Sequence, residues 1–177
     1  MKNITVYCAS SPKVHPDYFE ACKELARGLA HKQHHIAYGG GAIGLMGALA
    51  DETLLHGGSI RGIIPDFMIE REWQHPQVKD MHIVDSMHER KARMLKNCDI
   101  AIALPGGCGT FEEFMEALTW KRLDIFHGEL YLLNIRGYYD PLIEMLNKSV
   151  YEEFMDTNTL KMWSAHKSTE ELLQLIP

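Results

Sequence analysis

Short apolar runs alternate with longer amphipathic segments along the whole chain. Nearly continuous runs are typical of parallel strands covered on both faces, whereas apolar positions three and four apart predict helices. Strands are predicted at residues 3–9, 35–38, 59–65, 81–84, 99–104, 129–134 and 161–164, and helices at residues 15–31, 48–56, 86–97, 110–123, 139–154 and 168–175. The alternation indicates an α/β fold with a doubly wound, mostly parallel sheet.

The remaining long connection, residues 66–80, contains Phe67 and Trp73 among charged residues. Connections of this length in α/β folds are often functional. We therefore predict that it forms part of a pocket wall or lies at a subunit interface.

Composition narrows the class of protein. The 177 residues suit one domain, residues 1–177, and the net charge of −6 without a Lys/Arg-rich run argues against nucleic-acid binding. No apolar stretch is long enough to span a membrane, and the strand pattern at the N-terminus leaves no room for a signal peptide. The four cysteines show no paired spacing, so we expect neither disulfides nor a metal site, and a cytoplasmic location.

The most informative motif lies at residues 101–113, where a buried strand runs into a glycine-rich turn that opens a helix. Pro105 ends the strand because it cannot donate to a β-ladder. Gly106, Gly107 and Gly109 then allow a ligand to approach the main chain. Amide N–H groups at the start of a helix form an anion site suited to phosphate. The motif therefore predicts a nucleotide or sugar phosphate as ligand.

Local hydrogen bonding offers a plainer interpretation of the same motif. Thr110 is predicted to be the N-cap of the helix, and Glu113 to complete a capping box. The glycines would then be needed only for the tight turn between the strand and the helix. Three glycines in four residues followed by two glutamates favour a site, with Cys108 as a small residue that fits the loop.

A second glycine loop, Gly39-Gly40-Gly41, follows the second strand. With Gly44 it matches the dinucleotide fingerprint, and Asp66 roughly fills the acidic position further on, so an NAD-dependent oxidoreductase is one alternative. The chain is short for such an enzyme, and no hydride-transfer site is evident. Because both glycine loops follow strands, they are expected at the same sheet edge.

Charged residues gather where the helix after Ser86 begins. Ser86 and Glu89 predict a capping box, and Arg90, Lys91 and Arg93 lie in the first two turns. Cations near a helix N-terminus are disfavoured by about 0.3–1 kcal/mol each. They therefore predict an anionic ligand, or else pairing with nearby acidic residues.

Two carboxylates, Glu112 and Glu113, follow the phosphate loop. A carboxylate beside a phosphate is repulsive unless the chemistry requires it. Glycosidic cleavage does, because its transition state carries oxocarbenium charge at the sugar carbon. A carboxylate there stabilises that charge and can orient water.

Three blocks together resemble the LONELY GUY family of cytokinin-activating phosphoribohydrolases, long mislabelled lysine decarboxylases. They are the Pro-Gly-Gly-Cys-Gly-Thr-Phe-Glu-Glu segment at 105–113, residues 38–47, and Met-His-Glu-Arg-Lys-Ala at 87–92. The resemblance covers nearly the whole chain. It implies a single Rossmann-like domain, a homodimer, no cofactor, and hydrolysis of nucleoside 5′-monophosphates to free base and ribose 5-phosphate.

The resemblance also implies residue roles. Arg90 and Glu113 match the catalytic pair. Substrate binding is implied for the remaining predicted site residues, which are Gly39, Gly40, Gly41, Glu72, Met87, Lys91, Gly106, Gly107, Cys108, Gly109, Thr110, Glu112 and Thr119. A non-catalytic nucleotide-binding or sensing module on the same fold is the main alternative, because a fold does not determine a function.

Overall fold

The computed structural model describes residues 1–69 and 73–177, and it consists of seven strands and seven α-helices in the described ranges. The strands are β1 (Asn3–Tyr7), β2 (His35–Tyr38), β3 (Ser59–Pro65), β4 (Asp80–Val84), β5 (Ile100–Ala103), β6 (Glu129–Leu133) and β7 (Ser164–His166). The helices are α1 (Pro16–His31), α2 (Gly44–Leu55), α3 (Asp66–Ile69), α4 (Met87–Leu95), α5 (Cys108–Arg122), α6 (Asp140–Tyr151) and α7 (Thr169–Leu175).

The strands form one sheet in the order β4-β3-β2-β1-β5-β6-β7, and every pair is parallel. The predicted α/β fold with a doubly wound parallel sheet is therefore confirmed. The order of the strands changes direction at β1, because β2, β3 and β4 lie on one side of it and β5, β6 and β7 on the other. Ligands of such sheets bind in the crevice at the carboxyl ends of the strands on either side of this switch point.

Both faces of the sheet are covered, which explains the continuous apolar runs. On β5, Ile100 and Ile102 pack with α1, α2 and α7, while Ala101 and Ala103 pack on the other side with α4, α5 and α6. Side chains alternate between the faces of a strand, so a strand that is buried on both faces is apolar at nearly every position.

Some predicted elements differ from the structure. The seventh strand is wrong at 161–164: Lys161 ends a 3₁₀ helix, Thr157–Lys161, and the strand follows at Ser164–His166. The connection 66–80 begins with the one-turn helix α3. The helix predicted to reach residue 154 ends at Tyr151, and Glu153 just beyond it has a φ of 64°. These are segments where turn chemistry decides the backbone rather than apolar periodicity.

No helix in the described ranges combines the length and apolarity that crossing a membrane requires.

Candidate active site

A cavity of about 630 Å³ opens at the carboxyl ends of the central strands, at the switch point between β1 and β5. Its walls come from the loop after β1, the first glycine loop, the connection 66–80, helix α4 and the start of α5. Segments far apart in the sequence meet here because parallel strands end at the same edge. The expected convergence of both glycine loops is confirmed, and Met68 and Trp73 bring the connection 66–80 into the wall as predicted.

Arg90 lies in the wall of this cavity and is only 8% exposed. Helix α4 begins at the predicted N-cap, with the Ser86 hydroxyl accepting a hydrogen bond from the Glu89 amide at 3.1 Å. The Glu89 carboxylate accepts from the Asp85 amide at 3.1 Å rather than from the Ser86 amide, so only half of the predicted capping box forms. One turn later, the guanidinium donates from Nε to the Ile63 carbonyl and from Nη2 to the Gly39 carbonyl, both at 3.1 Å. These bonds fix the plane of the guanidinium and leave Nη1 facing α5.

Gly39 is required for this arrangement. A Cβ at this position would lie 1.9 Å from Nη2 of Arg90. The glycine therefore lets the guanidinium reach the main chain of the first glycine loop. This explains why one residue of that loop must lack a side chain, independently of any dinucleotide fingerprint.

Glu113 faces Arg90 from helix α5, with its Oε1 3.6 Å from Nη1 of Arg90. The carboxyl group is 8% exposed. Burial raises its pKa from the ordinary 4.5 to about 7, and the Arg90 guanidinium opposes part of that rise. The site thus contains a carboxyl group that titrates near neutral pH, a property that favours acid–base chemistry.

Helix α5 begins earlier than predicted, so the interpretation of Thr110 as N-cap is wrong. The N-cap is Gly107, whose carbonyl accepts from the Phe111 amide at 3.1 Å. Thr110 is already inside the first turn, and its hydroxyl packs against Gly106, where a Cβ would lie 2.1 Å from Oγ1. The capping box with Glu113 is wrong for the same reason, which leaves that carboxyl group free to face Arg90.

The first turn of α5 presents bare amides to the cavity. Gly107, Cys108, Gly109 and Thr110 line the cavity, and a Cβ at Gly107 or Gly109 would meet no atom within 4 Å among the described residues. The first N–H groups of an α-helix have no intrahelical acceptor. Such groups and the helix dipole favour an anion, so the anion site stays a prediction for this helix start.

The first glycine loop is tied to the connection 66–80 by two backbone hydrogen bonds. Ala42 donates to the Trp73 carbonyl at 3.0 Å and His75 donates to the Gly40 carbonyl at 2.9 Å, and these two bonds form an antiparallel β-bridge between Gly41 and Gln74. Gly40 has a φ of +77°, which favours glycine. Gly39 and Gly41 line the cavity, whereas Gly40 packs behind it on Ile64.

Three of the other predicted binding residues, Lys91, Glu112 and Thr119, lie apart from the cavity lining. Lys91 is 4% exposed, and its ammonium group pairs with Glu112 at 2.7 Å and Glu116 at 3.3 Å. Thr119 donates to the Met115 carbonyl of its own helix at 2.7 Å. Met87, by contrast, lines the cavity next to Arg90.

The remaining predicted residues lie in different places. Arg93 pairs with Glu89 at 2.7 Å, as the alternative of acidic pairing predicted. Gly106 lies behind the cavity against Thr110. Glu72 lies outside the described residues. In the ranges that are described, no group of three or more His, Cys, Asp or Glu side chains could hold a metal ion.

The contacts that hold the loop before α5 were not predicted from the sequence. The hydroxyl groups of Tyr138 and Tyr139 donate to the carbonyls of Gly106 and Leu104. Both tyrosines follow β6, the strand beside β5 in the sheet. Their position after the carboxyl end of β6 is the sequence feature that could have indicated these contacts.

Comparison with known proteins identifies relatives of this chain. The family model described as "Possible lysine decarboxylase" matches residues 46–176. The chain is 37% identical to cytokinin riboside 5′-monophosphate phosphoribohydrolase LOG2 of Arabidopsis thaliana over 99% of this chain and 82% of that protein. It is also 37% identical to the probable cytokinin riboside 5′-monophosphate phosphoribohydrolase LOGL5 of Oryza sativa subsp. japonica, over 97% of this chain and 70% of that protein.

A solved structure shows the same fold. The molybdenum cofactor carrier protein of Chlamydomonas reinhardtii superposes with a TM-score of 0.75 over 99% of this chain and 95% of that one, at 15% sequence identity. At that identity the likeness concerns the fold alone.

Proposed function

The chain belongs to the family of cytokinin riboside 5′-monophosphate phosphoribohydrolases, and we propose that it hydrolyses the N-glycosidic bond of nucleoside 5′-monophosphates. The proposed substrates are AMP and N6-modified AMP, and the products are the free base and ribose 5-phosphate. The observation that carries the proposal is the buried Arg90–Glu113 pair beside an open helix N-terminus in one cavity.

The proposed phosphate site is the first turn of α5. The amides of residues 107–110 offer donors and the positive end of the helix dipole, and the open space at Gly107 and Gly109 admits phosphate oxygens. Hydrogen bonds to an ionised group are about twice as strong as those between neutral groups. A nucleotide should therefore bind much better than the corresponding nucleoside.

Glu113 lies four residues after Gly109, so both face the same side of α5. A ribose attached to the bound phosphate would come next to this carboxylate. Hydrolysis breaks the bond between C1′ and the base nitrogen, and the electron pair leaves with the base. Water adds its hydroxyl group to C1′ and passes its proton to the Glu113 carboxylate, which later releases it to solvent, while the departing base takes up a proton from solvent. The Glu113 carboxylate stabilises the positive charge at C1′ and accepts the proton from water.

Arg90 has a positioning and binding role in this proposal. Its guanidinium stays protonated at neutral pH, so it is not a proton donor to the leaving base. Bonds to Ile63 and Gly39 fix it, while Nη1 faces Glu113 and makes only a long contact, 4.0 Å, to the Met87 sulfur, so we propose that Nη1 also contacts the substrate. The positive charge also holds part of the Glu113 population ionised, which the reaction requires.

The base is proposed to occupy the apolar part of the cavity. Ile43, Met46, Met68 and Trp73 line that part. Pockets with mainly apolar walls and few polar groups are typical of small-molecule sites. Glu72 and the glycines at 39–41 also belong to the proposed substrate-binding residues, as do Lys91 on helix α4 and Glu112 and Thr119 on helix α5.

Assembly and location are also proposals. We propose a homodimer, as the family resemblance implies, with the exposed Phe67 and Trp73 near the interface. The proposed location is the cytoplasm, where the four free thiols of Cys8, Cys22, Cys98 and Cys108 would stay reduced. Sedimentation of the purified protein at micromolar concentration tests the dimer, which a strictly monomeric species would contradict.

The decisive assay incubates the protein with a panel of nucleoside monophosphates and measures released base. Hydrolysis of AMP or an N6-modified AMP is expected, with little release from adenosine. Binding of nucleotide without base release would instead support a non-catalytic module. Comparable kcat/KM on adenosine and AMP would contradict the phosphate site.

A further inference from the structure

Two consecutive tyrosines hold the loop that precedes helix α5. The Tyr138 hydroxyl donates to the Gly106 carbonyl at 2.5 Å, and the Tyr139 hydroxyl donates to the Leu104 carbonyl at 2.6 Å. Tyr139 is 1% exposed. Burial raises the pKa of both tyrosines, so both hydroxyl groups remain protonated donors at neutral pH.

The bond to the Gly106 carbonyl also fixes the direction of the Gly107 amide N–H. The peptide unit between Gly106 and Gly107 is planar and trans, so its C=O and N–H groups point in opposite directions. When Tyr138 holds the Gly106 carbonyl, the Gly107 N–H is directed away from Tyr138. Gly107 lines the cavity, and its amide has no acceptor among the described residues.

The segment that carries the tyrosines is itself anchored. Asn134 Oδ1 accepts from the Tyr139 amide at 2.7 Å, and Asn134 Nδ2 donates to Asp140 at 2.7 Å. The Tyr138 ring also stacks on Phe111 in the first turn of α5, with centroids 6.2 Å apart and planes 23° apart. The tyrosines therefore connect a fixed turn after β6 to both the loop and the helix start.

From these contacts we infer that Tyr138 and Tyr139 are positioning residues for the 5′-phosphate. They hold the carbonyls of Gly106 and Leu104, and thereby keep the loop 105–107 in the conformation that presents the Gly107 amide to the anion. The inference rests on the proposed function for the identity of that anion. Neither tyrosine lines the cavity, so each acts through the loop rather than on the substrate.

The test uses the full-length protein and ribose 5-phosphate, a product that is not hydrolysed. Calorimetric titration compares wild type with Tyr138→Phe and Tyr139→Phe, which keep the rings and remove only the hydroxyl groups. Tyr131→Phe is the matched control, because its ring contacts His166 on β7 and makes no bond to the loop. The lost hydrogen bond joins the protein to its own loop, so its free energy of about 1.4 kcal/mol limits the increase in Kd to about tenfold, and a weakening of up to about tenfold is expected.

Kinetics with AMP supply the readout that a general loss of stability would not produce. Tyr138→Phe should raise KM for AMP by about the same factor, with kcat within about twofold of wild type. Wild-type affinity for ribose 5-phosphate in both variants would overturn the inference. If Tyr139→Phe does not fold, the half-exposed Tyr138 still decides the question. Weakened ribose 5-phosphate binding in a protein that releases no base from AMP would overturn the proposed hydrolysis alone.

Discussion

The Nη1 atom of Arg90 and the Oε1 atom of Glu113 lie 3.6 Å apart, and both side chains are nine-tenths buried. The pair joins α4 to α5 within the lining of the cavity. A buried ion pair is weak evidence for a purely stabilising role, because desolvation of both charges offsets their attraction. Its position beside the uncapped N-terminus of α5, and the raised pKa of Glu113, instead favour a catalytic role.

Glu113→Gln separates catalysis from structure. The glutamine keeps the shape and a hydrogen-bonding oxygen for Arg90 but removes the charge that the oxocarbenium-like state needs. Loss of a preorganised electrostatic group costs about 10²–10³ in kcat. We therefore expect a folded protein that binds AMP and hydrolyses it at least about a hundredfold more slowly.

Glu112→Gln is the matched control for that change. Its carboxylate is 60% exposed and pairs with Lys91 outside the cavity lining, so a much smaller loss of kcat is expected. Base release from AMP by Glu113→Gln at close to the wild-type rate would reduce Glu113 to a structural residue.

The pKa of Glu113 predicts how activity depends on pH. If the ionised carboxylate is the working form, kcat/KM for AMP rises with pH and is half-maximal near pH 7, then reaches a plateau. The second ionisation of the substrate phosphate occurs near pH 6, so the residual activity of Glu113→Gln supplies the control. That residual activity should lack the limb near pH 7. A limb that persists unchanged in the variant belongs to another group.

The same pKa predicts how stability depends on pH. The native pKa of Glu113 is higher than the unfolded value of 4.5, so its contribution is fully present below about pH 4.5 and is lost as pH rises through about 7. Between pH 5 and pH 8 this loss amounts to about 2–3 kcal/mol for wild type. Chemical denaturation at both pH values should show a smaller loss in Glu113→Gln, by that amount. Equal losses in the two proteins would contradict the raised pKa.

Gly39→Ala tests the contact that fixes Arg90. The added Cβ would lie 1.9 Å from Nη2 of Arg90, so the guanidinium must leave the Gly39 carbonyl. Because small misplacements of catalytic groups are costly, we expect kcat/KM for AMP to fall at least about tenfold. Gly41→Ala is the comparison variant in the same loop: its Cβ would press mainly on the flexible end of Met46, which lines the proposed base pocket, and would leave Arg90 in place, so a smaller loss is expected. An equal loss in both variants would mean that the loop, and not Arg90, is the sensitive element.

The sequence predicted most of the fold because covering both faces of a parallel sheet leaves apolar runs that few other structures produce. It also predicted the meeting of the two glycine loops, which follows from where parallel strands end. It placed the N-cap of α5 at Thr110, because threonine caps helices more often than glycine does. The open amides at Gly107 and Gly109 show that this helix start is left uncapped by any side chain, which a propensity argument does not anticipate.

Side-chain partners across elements were the part that the sequence could not predict. The cation cluster at the start of α4 indicated either an anionic ligand or acidic partners, and the structure divides it: Arg90 faces the cavity, while Lys91 turns to α5. Neighbouring residues on a helix point about 100° apart, so adjacent cations need not share a role. Which of them faces the cavity depends on the packing of α4 on α5, which no local pattern specifies.

Lys91 provides the last prediction, because its charge acts on Glu113 without contacting the substrate cavity. Its ammonium group is held by Glu112 and Glu116 and is one of the positive charges that lower the pKa of Glu113, whereas both of those carboxylates raise it. Lys91→Met should therefore move the pH of half-maximal kcat/KM upward, by about half a pH unit or more, since a nearby positive charge favours the ionised carboxyl group.

Glu116→Gln is the matched opposite change, because it removes a negative charge from the same cluster and keeps the side-chain shape. It should move the half-maximal pH downward. Measuring kcat/KM for AMP between pH 5 and pH 9 in both variants gives two shifts of opposite sign. A purely structural role for Lys91 would change the rate or the stability and leave the half-maximal pH where it is in wild type, and that result would contradict the electrostatic coupling between the two helices.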